Sequence, residues 1–364
     1  MIQISDILKE IERIAPLSLQ EGFDNAGLQV GDVNRTATGA VLCLDVTEGV
    51  IDEAISAGCN LIISHHPLIF KPLKSLSGNT YIERCVMKAC RNEIVIYSAH
   101  TNLDNATEGV NYKLASLLNL QNISILSPQK GKLLKLSTFV PVSSAETVRI
   151  ALFDAGAGNI GNYDMCSFNT QGTGTFRPSE KTNPYCGVAG ELHHEDEVRI
   201  ETILPSFLKA AVTRALLSAH PYEEPAFDFY PLDNVWNQVG SGIAGELEQA
   251  EDELSFLQKI KNILNVASVR HSALTGRTVR KIAICGGSGA FLIPETIACG
   301  ADIFITGEAK YNDFLDVEDK ILLAVVGHYE SEICTKELFY DILSKKFPTF
   351  AVQISNTDNP VKYL

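Results

Sequence analysis

The sequence predicts an α/β protein: two related α/β halves forming one discontinuous domain, interrupted by a ferredoxin-like α+β insert. Three observations predict it. Short apolar runs alternate with helix-like stretches at both ends of the chain, those two ends share a repeat, and the middle follows a different element order.

In the first part, ATGAVLCLDV (37–46) reads as a strand and GVIDEAISAG (49–58) as a helix ended by Gly58. CNLIISHHP (59–67) is a second strand, YIERCVMKACRN (81–92) a helix, and EIVIYSAHTNLD (93–104) a third strand. Strands this continuously apolar are covered on both faces, which indicates a mostly parallel sheet. The last third runs through the same kinds of element. VRKIAICGG (279–287) is a strand, PETIACG (294–300) a helix, ADIFITGEA (301–309) and KILLAVVGH (320–328) strands, and YESEICTKELFYDILSKKF (329–347) one long helix. AISAGCNLIISHH (54–66) aligns without gaps on TIACGADIFITGE (296–308), with Gly58 opposite Gly300. IVIYSAHTNLD (94–104) aligns on LLAVVGHYESE (322–332), with His100 opposite His328. A repeat of this kind predicts two related halves facing one another.

Residues 127–235 read differently. KLLKLSTFVP is a strand and SAETVRIALFDAG a helix, followed by a Gly, Asn and Thr-rich stretch through Pro178. A polar strand pair around GVAGELHHEDEVRIETILP, a helix SFLKAAVTRALLSAH and a last strand AFDFYPL complete a β-α-β-β-α-β order, the split βαβ arrangement. The expected domains are therefore 1–126 and 236–364 as the two halves, and 127–235 as the insert.

Composition narrows the function. The net charge of -14 disfavours nucleic-acid binding, which needs clustered Lys and Arg. No run approaches the apolar length of a membrane span. The opening MIQISDILKEIERIA has acids in its first turns and lacks the basic and apolar regions of a signal peptide, so a cytoplasmic protein is expected. Nine cysteines without a CxxC pair fit reduced thiols in a reducing compartment.

The residues suited to chemistry gather at strand ends. His65 and His66 follow the apolar run LIIS, at the carboxyl edge where open α/β sheets bind ligands. Neighbouring residues of an extended segment point to opposite sides, so the two imidazoles suit two ions better than one. His100 and Asp104 follow the third strand, and His328 and Glu332 follow its repeat counterpart. The four-residue spacing puts His328 and Glu332 on one helix face. A carboxylate among imidazoles can bridge two cations. The expected metal ligands are His65, His66, Asp104, His328 and Glu332, holding two divalent ions. A donor set without thiolate points to Zn, Mn, Fe, Co or Ni. His100 and Glu308, the repeat counterpart of His66, are the candidate proton-moving residues. Gly286-Gly287-Ser288-Gly289 either forms a tight turn or offers amides to an anion. His193-His194 reads as a solvated turn. His220 lies in a Pro-bounded connector, HPYEEP, which either faces the metal cleft or fixes the chain direction.

These residues resemble the Nif-three-like family, whose bacterial members carry the name GTP cyclohydrolase I type 2 homologue. The resemblance runs over the whole chain, through DNAGL (24–28), SHHP (64–67), HTNLDN (100–105), GGSG (286–289), ITGE (305–308) and GHYESE (327–332). Within the insert, GNIGNYDMCSF (158–168) and HPYEEPAFDFYPL (220–232) match its longer members. The resemblance implies a dinuclear centre on the five residues above with Glu332 bridging. It also implies ring-shaped homohexamers and an insert like the PII or CutA signalling proteins. The expected function is a dinuclear metal-dependent hydrolase of a small polar substrate, with opening of a nucleotide ring as the family name has it. The alternative is a metal-binding regulatory oligomer that senses a ligand without turnover.

Overall fold

The computed structural model describes residues 2–364. Two compact units emerge: one joins the chain through Pro128 to Gln238–Leu364, and the other is Gln129–Asn237.

The larger unit contains two sheets. In the first, strands Gly27–Val30, Val95–Ser98, Leu61–Ser64, Ala40–Cys43 and Val352–Ile354 lie side by side in that order. All pairs are parallel except the Gly27–Val30 edge. The second sheet runs Arg270–His271, Leu322–Val325, Ile303–Thr306, Thr278–Cys285, Trp236–Asp252 and Gln121–Gln129. Its three central strands are parallel and are flanked by antiparallel neighbours. Every residue of strands Ala40–Cys43, Leu61–Ser64, Val95–Ser98, Ile303–Thr306 and Leu322–Val325 is buried, the physical reason their sequences read as unbroken apolar runs. In the first sheet the helices Glu48–Ser56 and Tyr81–Arg91 start on side-chain caps: Thr47 Oγ1 accepts from Val50 N, and Thr80 Oγ1 from Glu83 N.

The repeat extends to detail. Asn60 accepts from Thr38 N at 2.8 Å, and Asp302, at the matching position, accepts from Arg280 N at 2.9 Å. The register corrects one alignment, however. Ser98 and Val325 end corresponding strands, paired with Ser64 and Thr306. The second copy thus has one extra residue before its histidine. That residue is Gly327, at φ 106, with Glu330's carboxylate occupying the space a Cβ would take.

Three further features differ from the expected elements or are not among them. The third strand stops at Ser98, and Thr101–Asp104 forms a short helix. The long terminal helix is two, His328–Glu332 and Thr335–Lys346. Within the first of them Ser331 Oγ donates back to the His328 carbonyl at 2.9 Å. Finally, Val352–Ile354 pairs with Ala40–Cys43, while Gln121–Gln129 joins the second sheet, so each half lends a strand to the other.

The smaller unit is a four-stranded antiparallel sheet ordered Phe168–Phe176, His193–Pro205, Leu133–Pro141 and Phe227–Pro231. Helices Ala145–Asp154 and Lys209–Ala219 bury Val148, Leu152, Val212 and Leu216 against Leu136, Val140, Val198 and Ile200 of the sheet. Here too one expectation moves: the second strand is FNTQGTGTF within the Gly and Thr-rich stretch, and His193–Pro205 is a single strand. Both ring nitrogens of His220 are engaged inside this unit, Nε2 with the Phe139 carbonyl at 3.0 Å and Nδ1 with Tyr222 N at 3.1 Å. The connector therefore fixes the chain direction. No helix among the described residues is long and apolar enough to cross a membrane.

Candidate metal centre

The carboxyl ends of both parallel sheets converge on one carboxylate. Glu332 is 3% exposed and closes the short helix that starts at His328. One of its oxygens, Oε1, lies 3.7 Å from His65 Nε2, which is 3.6 Å from Asp104 Oδ1. The other, Oε2, lies 2.9 Å from His66 Nε2 and 3.0 Å from His328 Nε2. Two donor sets result, His65–Asp104–Glu332 and His66–His328–Glu332, each with its ligand atoms within 4.8 Å of one another. All five residues named from the sequence meet here; His65 and His66 fall in different sets of these two, and together with His100 they form a third group of the same span.

The tautomers follow from what holds each ring. His65 Nδ1 donates to the Ala99 carbonyl at 2.8 Å. His66 Nδ1 is held by Asp45 Oδ1 at 2.8 Å, and His328 Nδ1 by Glu308 Oε1 at 3.0 Å. With each Nδ1 tied to an oxygen acceptor, each Nε2 faces Glu332 and is the nitrogen that can give its lone pair to a metal once it has released its proton. His65 Nε2 and Asp104 Oδ1 are both buried without a hydrogen-bond partner. Acceptor atoms aimed at one another across a buried gap are costly unless a cation lies between them. The residues fit a metal ion by that test.

Electrostatics agree. Burial pushes the Asp104 carboxyl well above its ordinary range, and the Glu332 carboxylate adds to the effect. Glu332 is also buried, yet the imidazoles of His65, His328 and His66 hold it well below the usual carboxylate range. Burial depresses His65. His66 is desolvated too, but Asp45 and Glu332 outweigh burial and hold its imidazolium up to about 10. Against the same burial, Glu332 keeps His328 at about 9. The negative potential that draws protons to these rings draws a divalent cation more strongly.

His100 stands beside the cluster, its ring centroid 5.3 Å from that of His65 and 5.5 Å from that of His66. Asp24 Oδ1 holds its Nδ1 at 2.8 Å, while Asp24 Oδ2 accepts from Thr101 N and Oγ1. Glu308 reaches the site through His328 and takes a hydrogen bond from Ser288 Oγ, which lowers its pKa. Asp24 and Asp45 are the functional side chains that spacing did not single out. A single acid has no periodic partner, and only the place of Asp45 just past strand Ala40–Cys43 hints at its role.

The GGSG segment is a tight turn. The Gly286, Gly287 and Gly289 amides donate to Asn111 Oδ1, Ser331 Oγ and Thr306 Oγ1, each at 3.0 Å, leaving none of the three for an anion. Gly287, at φ +60, lies so close to Glu332 that a Cβ would collide with Oε1. Beside His66 opens a cavity of about 250 Å³ lined by Asp45, Thr47, Tyr81, Tyr329 and Lys336.

Fold and site together define an α/β protein of two repeat-related sheets with a shared His and carboxylate cluster suited to metal. The chain belongs to the Duf34/NIF3 (NGG1p interacting factor 3) family, whose model matches residues 2–360. It is 38% identical to a GTP cyclohydrolase 1 type 2 homolog of Halalkalibacterium halodurans, over 98% of both chains. The Bacillus subtilis protein of the same name is 37% identical, again over 98% of both. The crystal structure of a Bacillus cereus protein related to NIF3 superposes with a TM-score of 0.88 at 38% identity, covering 100% of this chain and 99% of the other.

Proposed function

We propose that the protein is a dinuclear metal-dependent hydrolase acting on a small polar substrate, a nucleotide purine ring or a related cyclic amide. The observation that carries this reading is Glu332, which offers one oxygen to each of two histidine and acid sets. His65 and Asp104 would hold one ion and His66 and His328 the other, with Glu332 shared between them. Divalent ions of the Zn, Mn, Fe, Co or Ni type supply Lewis acidity there and ionise water near neutral pH. Asp45, Glu308 and the Ala99 carbonyl orient the ligand rings. His100, fixed by Asp24, stands where its Nε2 can exchange a proton with substrate, and Glu308 can do so from the exposed side of His328. Tyr81 and Tyr329 give the neighbouring cavity two aromatic rings, and Lys336, Asp45 and Asp358 give it charges of both signs, which suit a flat polar ring. The names of the bacterial relatives, GTP cyclohydrolase 1 type 2 homolog, support the same substrate class. A cytoplasmic homohexamer completes the reading.

The test is turnover of the metal-loaded protein across nucleotide, phosphoester and cyclic amide panels. Activity is expected in the wild type and lost in both His65→Ala and Glu332→Ala. Full turnover by metal-free His65→Ala would sink the proposal. A metal-replete wild type that hydrolyses nothing, yet gains stability on binding one of these compounds, would favour the regulatory reading instead.

A further inference from the structure

The smaller unit carries a second set of ligand-type side chains. Alternate residues of a strand share a face, so His193 and Glu195 project together, with His193 Nε2 2.8 Å from Glu195 Oε2. The preceding loop returns Cys186 to the same place, and the ligand atoms of Cys186, His193 and Glu195 all lie within 4.8 Å of one another. His193 thus opens a strand rather than lying in a solvated turn, and its partner lies seven positions earlier, across a loop that spacing alone does not close.

The approach is built into the chain. Gly187 has φ +83, and a Cβ there would fall 3.0 Å from His193 Cβ and Cγ, so glycine lets the loop lie against the ring. Further along the loop, Gly190 N donates to the Pro178 carbonyl at 2.8 Å. The His193 ring is supported by Phe176, its register partner, at a centroid distance of 5.2 Å. Tyr222 Oη lies 3.9 Å from Cys186 Sγ and donates to Glu197 Oε1 at 2.8 Å.

We infer that Cys186, His193 and Glu195 form a metal site of their own, separate from the Glu332 centre, which takes a borderline divalent ion such as Zn²⁺. A thiolate, an imidazole and a carboxylate match that ion and not Mg²⁺ or Ca²⁺, which take oxygen ligands. Bond lengths of about 2.0–2.3 Å place tetrahedral ligand atoms roughly 3.3–3.7 Å apart, so small side-chain adjustments bring all three onto one ion. On binding, Cys186 releases its thiol proton to solvent. Three protein ligands leave a fourth position for water or a small donor. Phe176 and Tyr222, which touch the ligand side chains, also line a cavity of about 480 Å³ together with Tyr185 and Glu197, so there is room for such a donor.

Cobalt(II) titrated into the reduced full-length protein tests this, because only a thiolate ligand gives an intense near-ultraviolet charge-transfer band. The Glu332 centre has no thiolate among its donors and is silent there. The wild type is expected to develop the band to saturation, with the amplitude of one thiolate-bound cobalt per chain, by about three equivalents because the two silent Glu332 sites compete for the ion, and His65→Ala to keep it. Cys186→Ser is expected to lose the band, and His193→Ala to weaken the cobalt affinity at least about tenfold. A wild type without the band, a band that survives in Cys186→Ser, or an unchanged affinity in His193→Ala would overturn the site.

Discussion

Replacing Gly287 by alanine is the most informative single change, because its two consequences can be separated. The backbone there is left-handed, φ +60. An L-residue in that conformation costs about 1–2 kcal/mol. In addition, the new Cβ would collide with Glu332 Oε1, lie 3.1 Å from Cδ of the same carboxylate, and lie 3.5 Å from His328 Cε1. Glu332 is buried and cannot swing into solvent, so either the carboxylate or the turn must shift. Gly300 provides the control: its φ is +70, and a Cβ there would meet open space, with no neighbouring atom within 4 Å. Gly300→Ala therefore carries the backbone cost alone, and a loss of about 1–2 kcal/mol lowers Tm by roughly 2–8 °C in a unit of this size. Gly287→Ala is expected to fall further in Tm and to retain fewer metal ions per chain by elemental analysis after dialysis. If Gly287→Ala kept the wild-type metal content with a Tm loss no larger than that of Gly300→Ala, the proposed role of the close approach in positioning Glu332 would be wrong.

Other perturbations address the remaining parts. Asp45→Ala frees His66 Nδ1, and the affinity of the ion that His66 and His328 would hold, read by competition with a chromogenic chelator, should fall about 10–100-fold. Asp24 should control the orientation of His100: burial alone would raise its carboxyl, but the hydrogen bonds from His100 and Thr101 win and hold it down to about 2, against an ordinary value of 3.8. A depressed carboxyl stabilises the fold fully above its unfolded pKa and loses that contribution as pH falls through the folded one, so chelator-treated wild type should lose stability from about pH 4 down to about pH 2. Asp24→Asn should show a flatter profile over that window in urea titrations; an identical slope would contradict the assignment. Metal loading should raise Tm, since free ion at 100 times its Kd contributes about 2.7 kcal/mol per site, and calorimetry with and without chelator checks this.

Much of this arrangement was legible because its parts are chemically plain. Buried parallel strands have no polar face, so LIIS, VIYS and IFIT stand out as apolar runs, and the histidines and acids that follow them mark the edge of the sheet. What stayed hidden depends on long-range or one-residue effects. Val352–Ile354 and Gln121–Gln129 cross between the halves, and pairing of that kind leaves no local trace. Gly327 shifts the second histidine by one position relative to its strand, which an ungapped alignment absorbs without notice. The strand FNTQGTGTF is mostly exposed and alternates Gly with Thr, so it carries no apolar period. Asp24 and Asp45 act through the rings they hold, and only the folded geometry shows which rings those are.

The central claim is that Glu332 joins two metal ions, and anomalous diffraction from crystals of the metal-loaded protein tests it most directly. Two peaks are expected within about 4 Å of each other, one against His65 and Asp104, the other against His66 and His328, with the Glu332 carboxylate between them. A single peak, or two peaks well beyond that spacing without Glu332 between them, would contradict it.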